Sequence, residues 1–132
     1  MNMTRQVIIL SAENDNNSYE KNRQLTLNLA GCLKDCNLQF RHLNIINNGN
    51  EKDGFVVIIN NEIEYNTVKD LAFKNFNQEN IFYQDSNQEG YILNKYKSVE
   101  QEGRLKEVSN KNLKDLNNYF LLDGKIYSIN KS

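Results

Sequence analysis

Proline is absent from this chain, cysteine occurs only twice, as Cys32 and Cys36, and histidine once, as His42. No run approaches the roughly 18 consecutive apolar residues that a membrane-spanning helix needs. Two cysteines one helical turn apart fit a disulfide poorly. With a single histidine they also lack the companions of a four-ligand zinc site. They read as small apolar residues on a packed helix face, in a reducing compartment. His42 shares a strand face with Leu38 and Phe40, as a partly buried histidine would, and catalysis through it needs a partner that sequence cannot place. Glycine-rich phosphate loops, His-Glu-x-x-His motifs and Gly-x-Ser-x-Gly elbows are missing as well. The sequence therefore predicts no catalytic residue, no metal and no cofactor.

Neither sign of charge dominates. Sixteen basic residues against seventeen acidic ones leave a net charge of -1. Nonspecific nucleic-acid binding draws on phosphate neutralisation, and this chain lacks its electrostatic footprint. The apolar segment Val7 to Leu10 is too short for a signal-peptide core, so a cytoplasmic protein without membrane partners is expected. What the chain has in abundance is asparagine, with lysine and isoleucine, a composition that AT-rich codons favour. Its 132 residues suit a single domain.

Residues 5–12 read as a buried strand. Asn17, with Glu20 three residues on, forms a capping box for a helix that packs through Leu25, Leu29, Cys32, Leu33 and Cys36. A second strand spans Leu38 to Ile46, with Leu38, Phe40 and His42 on one face and Leu43 and Ile45 on the other. After a turn at 47–50, Gly54 to Ile59 is strongly apolar and reads as a central strand. A second helix ends at Phe76, packing through Val68, Leu71 and Ala72, and Ile81-Phe82-Tyr83 opens a fourth strand. The order β-α-β-β-α-β predicts an α+β, ferredoxin-like sheet over 5–84 with both helices on one face. Residues 85–132 read as a β-rich antiparallel hairpin extension. It contains a loop at 85–90, a polar stretch at 98–109, a helical turn at 113–116 and an Asp123-Gly124 hairpin.

Carboxamides carry the most suggestive pattern. The helix-to-strand junction Asn75-Phe76-Asn77-Gln78-Glu79-Asn80 holds Asn and Gln where turn glycines are usual. Amides recognise by hydrogen bonding and are poor acids, bases and nucleophiles. Ser11, Glu13 and Asn14 leave the first strand at the start of the first helix, where Asn22 lies. Strand ends and helix N-termini in α/β sheets often hold ligands. Ser11, Asn14, Asn22 and Gln78 are thus candidates for a pocket that binds a small polar or anionic molecule. The competing reading is that Asn22 and Gln78 tie loops to the backbone. Lys95, Lys97, Arg104 and Lys106 surround Tyr91 and Tyr96, and Arg104 and Lys106 are the candidates to meet a phosphate. Glu100, Glu102 and Glu107 interrupt them, as on a solvated strand face.

Ser11-Ala12-Glu13-Asn14, Glu20-x-Asn22, Gly54-Phe55-Val56-Val57 and Phe76-Asn77-Gln78 together resemble an uncharacterised family of small proteins from bacteria and tailed phages. The likeness covers residues 5–84. Its matching positions are Asn14, Asn22, Phe55 and Gln78, while Asp15 stands where that family carries proline. The resemblance implies no established activity, but a phage origin. On it rests the expectation of a non-enzymatic accessory protein in the host cytoplasm. Such a protein would sequester a small host ligand, of nucleotide-derived defence-signal type, as a homo-oligomer. Two alternatives stand beside it. One is an inhibitor that grips a host protein through Tyr91, Tyr119, Phe120 and Tyr127. The other is a nucleotide-processing enzyme using His42 or Glu13.

Overall fold

All of β1 (Val7–Ser11) is buried, and so is β3 (Asn50–Ile58) from Gly54 onward. Strands apolar on both faces need cover on both, and that requirement decides the architecture. The computed structural model describes residues 3, 5–96, 99–109 and 116–130. Between and after those two strands come α1 (Tyr19–Asp35), β2 (Phe40–Asn47), α2 (Glu62–Asp70, prolonged by a π-turn over Leu71–Asn75), β4 (Asn80–Gln84), β5 (Gly90–Asn94), β6 (Val99–Val108), β7 (Asn118–Leu122) and β8 (Lys125–Asn130).

The eight strands form a closed barrel in the order β1-β3-β2-β7-β8-β6-β5-β4, with β4 returning to β1. Every pairing is antiparallel. The expected ferredoxin-like α+β sheet with an appended hairpin region is thereby overturned. Helices on one side of β4-β1-β3-β2 cover Ile8, Leu10, Val57 and Ile81, which pack with Leu29, Leu33 and Val68. The other side, Val7, Ile9, Val56, Ile58 and Phe82, would face water in an open sheet. β5–β8 curl over it instead and contribute Ile92, Leu105, Leu122 and Tyr127 to the lumen. β5–β8 are therefore half of the wall and not an annex. The polar stretch 99–108 is itself a strand, β6. The helical turn expected at 113–116 lies outside the described residues apart from Leu116.

Local chemistry places the elements. Ser18, not Asn17, caps α1, accepting from the Lys21 N–H at 3.2 Å. Glu20 therefore sits one residue too early for the expected capping box. Asn37 ends α1 with φ 56, and the Leu38 N–H returns to the Leu33 carbonyl at 3.1 Å. This is the left-handed helix stop usually given to glycine. Asn77 repeats it with φ 50 after the π-turn, where the Gln78 N–H reaches the Ala72 carbonyl at 2.9 Å. Asn48-Gly49 and Asp123-Gly124 make the two-residue hairpin turns, with positive φ at all four residues. Cys32 is half-buried on α1, whereas Cys36 caps the helix and is exposed, so only one of the pair sits on the packed face.

At the end of the barrel where β1 starts, Gln84 is fully buried, and its Nε2 donates to the Met3 and Arg5 carbonyls at 2.7 and 2.8 Å. Two acceptors fix which end of that amide is nitrogen. Its Oε1 has no partner among the described residues.

Candidate functional site

Asparagine marks the other end of the barrel. Asn47 pairs with Asn118, and Asn80 with Asn94. Each stands two residues from a side chain of the interior cluster: Ile45, Phe120, Phe82 and Ile92 respectively. Side chains two apart on a strand share a face, so all four asparagines face inward. Neighbouring strands run in opposite directions. Asn therefore trails β2 and β5 and leads β4 and β7, yet all four lie at one end of the barrel. Asn47, Asn80 and Asn118 border its mouth, while the Asn94 Oδ1 accepts from the Tyr96 N–H at 2.7 Å.

A cavity of about 1030 Å³ spans that mouth, from the loop residues Asn14, Asp15, Asn77 and Asn117 above it down to walls formed by Ile9, Ile45, Phe82, Ile92, Phe120 and Ile129. β4 and β7 stand four places apart in an eight-strand wall, hence opposite each other. Phe82 and Phe120 meet across the lumen, with ring centroids 5.8 Å apart and planes tilted by 50°. They form the floor, above the packed layer of Val7, Ile58 and Leu122. Above the walls, Asn47 and Asn80 make no side-chain hydrogen bond among the described residues. The Asn118 Oδ1 accepts from the Asn48 N–H at 3.1 Å.

Among the described residues, five charged ones border the cavity: Glu13, Asp15, Lys52, Glu79 and Lys95. Lys52 reaches Asp15 at 3.2 Å, and Lys95 donates to the Asn77 side-chain oxygen. Both lysines tether a loop to the rim. Lys52 is an inward-facing residue in register with Ile45, a position from which the ammonium snorkels up to the mouth.

Of the residues singled out from sequence, Ser11, Asn14 and Gln78 border this cavity. Each is already engaged. The Ser11 hydroxyl donates to the Asp53 carbonyl at 2.7 Å and accepts from the Glu13 N–H at 3.0 Å. Asn22 lies behind Asn14. It accepts from the Asn14 N–H at 3.0 Å and donates to the Asn14 carbonyl at 2.9 Å. The Gln78 Nε2 donates to the Glu13 and Phe76 carbonyls at 3.1 and 3.2 Å. Asn22 and Gln78 therefore shape the rim by holding backbone. Gln78→Ala removes the tie between the β1–α1 loop and the α2–β4 junction. It is expected to lower stability by about 1–2 kcal/mol in thermal denaturation; an unchanged melting curve would show that the tie is idle.

Arg104 and Lys106 flank the inward-facing Leu105, so strand alternation turns them to the outer surface. There Arg104 pairs with Glu89 at 2.7 Å, and neither basic residue borders the cavity. His42 is half-exposed on the outside of β2, where its Nε2 lies 2.7 Å from the Asp53 carboxylate. It is a surface residue hydrogen-bonded to a carboxylate and not the partly buried histidine expected. Of the hairpin aromatics, Phe120 and Tyr127 pack in the lumen. Tyr91 stacks on Tyr83 at 6.2 Å on the outer face. Burial raises the Tyr65 and Tyr83 hydroxyls above their ordinary pKa, although a bond from Gln6 partly offsets this at Tyr83.

Sequence reasoning missed Asn47, Asn118 and Lys52, and held Asn80 only as part of the 75–80 junction. The signal was present as Asn two residues from Ile or Phe at four strand ends. It becomes readable only once strand polarity is known. No known family model matches the chain, and no curated protein is significantly similar to it. No helix among the described residues is long and apolar enough to cross a membrane.

Proposed function

We propose that this is a stoichiometric binding protein that takes a small host ligand into the mouth of its barrel. The further reading is a phage-type accessory protein that sequesters a nucleotide-derived defence signal in the host cytoplasm. The observation that carries the proposal is the cavity itself: a polar-rimmed chamber with isoleucines in its walls and an aromatic floor beneath strand-end carboxamides. Ligand sites commonly combine apolar walls with placed polar groups. Eight-strand barrels are also wide enough to hold one small molecule. Of the two acid–base candidates of the enzyme reading, His42 lies on the outer surface and the Glu13 carboxylate accepts from the Asp53 N–H. The carboxamides at the mouth are suited to holding more than to bond-breaking. A second copy seated over the mouth would complete the enclosure that sequestration needs.

Native mass spectrometry after incubation with host metabolite extract tests this. A small molecule retained unmodified, at one per chain, is the expected result. Adding that molecule at a hundred times its Kd should then raise stability by about 2.7 kcal/mol. Metabolites released with altered masses, or no retained mass from any extract, would overturn the proposal.

A further inference from the structure

Resting on that reading, we infer that the ligand is a planar nitrogen heterocycle of nucleobase size carrying no more than one negative charge. It enters ring-first, towards Phe82 and Phe120, and leaves its polar edge among the rim amides. Depth limits its apolar part. Asn80 and Asn118 stand two residues above Phe82 and Phe120, and two residues of strand span about 7 Å. The Phe82–Phe120 contact then shuts the lumen, since it joins strands on opposite sides of the wall. A single ring fits in that depth, whereas an extended acyl chain meets the floor after a few carbons. Aromatic rings below and isoleucines around favour a flat partner.

The rim selects the polar part. Each free carboxamide, on Asn47 and Asn80, offers a donor beside an acceptor. That is the complement of a heterocycle edge, the pairing by which Asn reads adenine in nucleic acids. The charges around it do not suit a polyanion. Three carboxylates, Glu13, Asp15 and Glu79, face two lysines, and both lysines are already engaged. A triphosphate would bring its charge to a rim whose described residues carry a net charge of -1 (two lysines less three carboxylates), where like charges repel.

Calorimetric titration of the full chain with the four ribonucleosides, their triphosphates and decanoate tests the class, beside mass identification of any metabolite retained from extract. At least one nucleoside should bind, with its triphosphate at least about tenfold weaker and decanoate not at all. Asn80→Leu should weaken nucleoside binding about tenfold while far-UV circular dichroism stays unchanged, since Asn80 is exposed. Equal binding of nucleoside and triphosphate, tighter binding of decanoate, or a retained metabolite that is polyanionic or lacks a heterocycle would each overturn the class and leave the binding chamber standing. With no titrant bound, a retained heterocycle of low charge upholds the class. Failure of every titrant and every extract removes both.

Discussion

Gly90→Val is expected to lower the stability of the barrel by about 3 kcal/mol, the upper end of overpacking costs. A Cβ at Gly90 would stand 2.4 Å from the Gly103 carbonyl oxygen and 2.8 Å from the Phe82 ring. The first neighbour is backbone and cannot swing aside. The second is part of the cavity floor and is almost completely buried. Gly90 sits where the β5–β6 register shifts, opposite Gly103 at φ 123. Irregularities of this kind, with glycine, let a wall turn its corner. A loss of 3 kcal/mol is a large part of the 5–15 kcal/mol that holds an ordinary domain together. Urea titration followed by circular dichroism measures it. A midpoint equal to the parent's would show that the wall can move aside to admit a side chain.

Gln84→Glu should be more damaging still at neutral pH, and its effect should depend on pH. The native amide gives two N–H groups to two carbonyls in a place closed to water. A protonated carboxyl has one hydrogen to give, and an ionised one has none. Ionisation there would bury a charge against two carbonyl oxygens, so the folded state retains the proton well above the value of about 4.3 usual for glutamate. The folded chain then binds more protons than the unfolded one, and stability falls as pH rises. The variant should be most stable below about pH 4.3 and lose about 1.4 kcal/mol per pH unit above it, until the site ionises or the protein unfolds. Thermal melts of parent and variant at pH 4 and pH 7 separate this from a simple packing defect. A variant deficit that is the same at both values would rule the mechanism out.

Much of the secondary structure could be read from residue pattern. β-branched runs mark β1 and β3, periodic leucines mark α1, and Asp123-Gly124 marks a hairpin. Closure of the sheet was harder to see. The sign was that Val7, Ile8, Ile9 and Leu10 are apolar without alternation, while both helices pack on one side only. An uncovered apolar back demands a partner, and here it is β5–β8. β6 hid that answer, because Gly103 and Leu105 are inward positions among residues of mostly charged character.

Of the candidate cavity's border, part was legible in the sequence. Asparagine and glutamine around 14–22 and 75–80 pointed to the rim, since both loops border it. Which amides remain unengaged could not be read from them. Asn22 and Gln78 are bound by backbone groups that only folding brings near. Asn47 and Asn118 become neighbours through the pairing of β2 with β7, about seventy residues apart. The basic residues Arg104 and Lys106 were misleading as neighbours of the site because alternation sends them outward.

The same long-range seam governs how the chain can reach this form. β7 and β8 follow the other six barrel strands along the chain, and they fill the gap between β2 and β6. Until they arrive, a nascent chain carries two raw sheet edges and an open greasy trough. Folding must wait on a late, distant closure, which is slow by topology. Chaperone demand on the ribosome should accordingly peak just before the β7–β8 hairpin emerges.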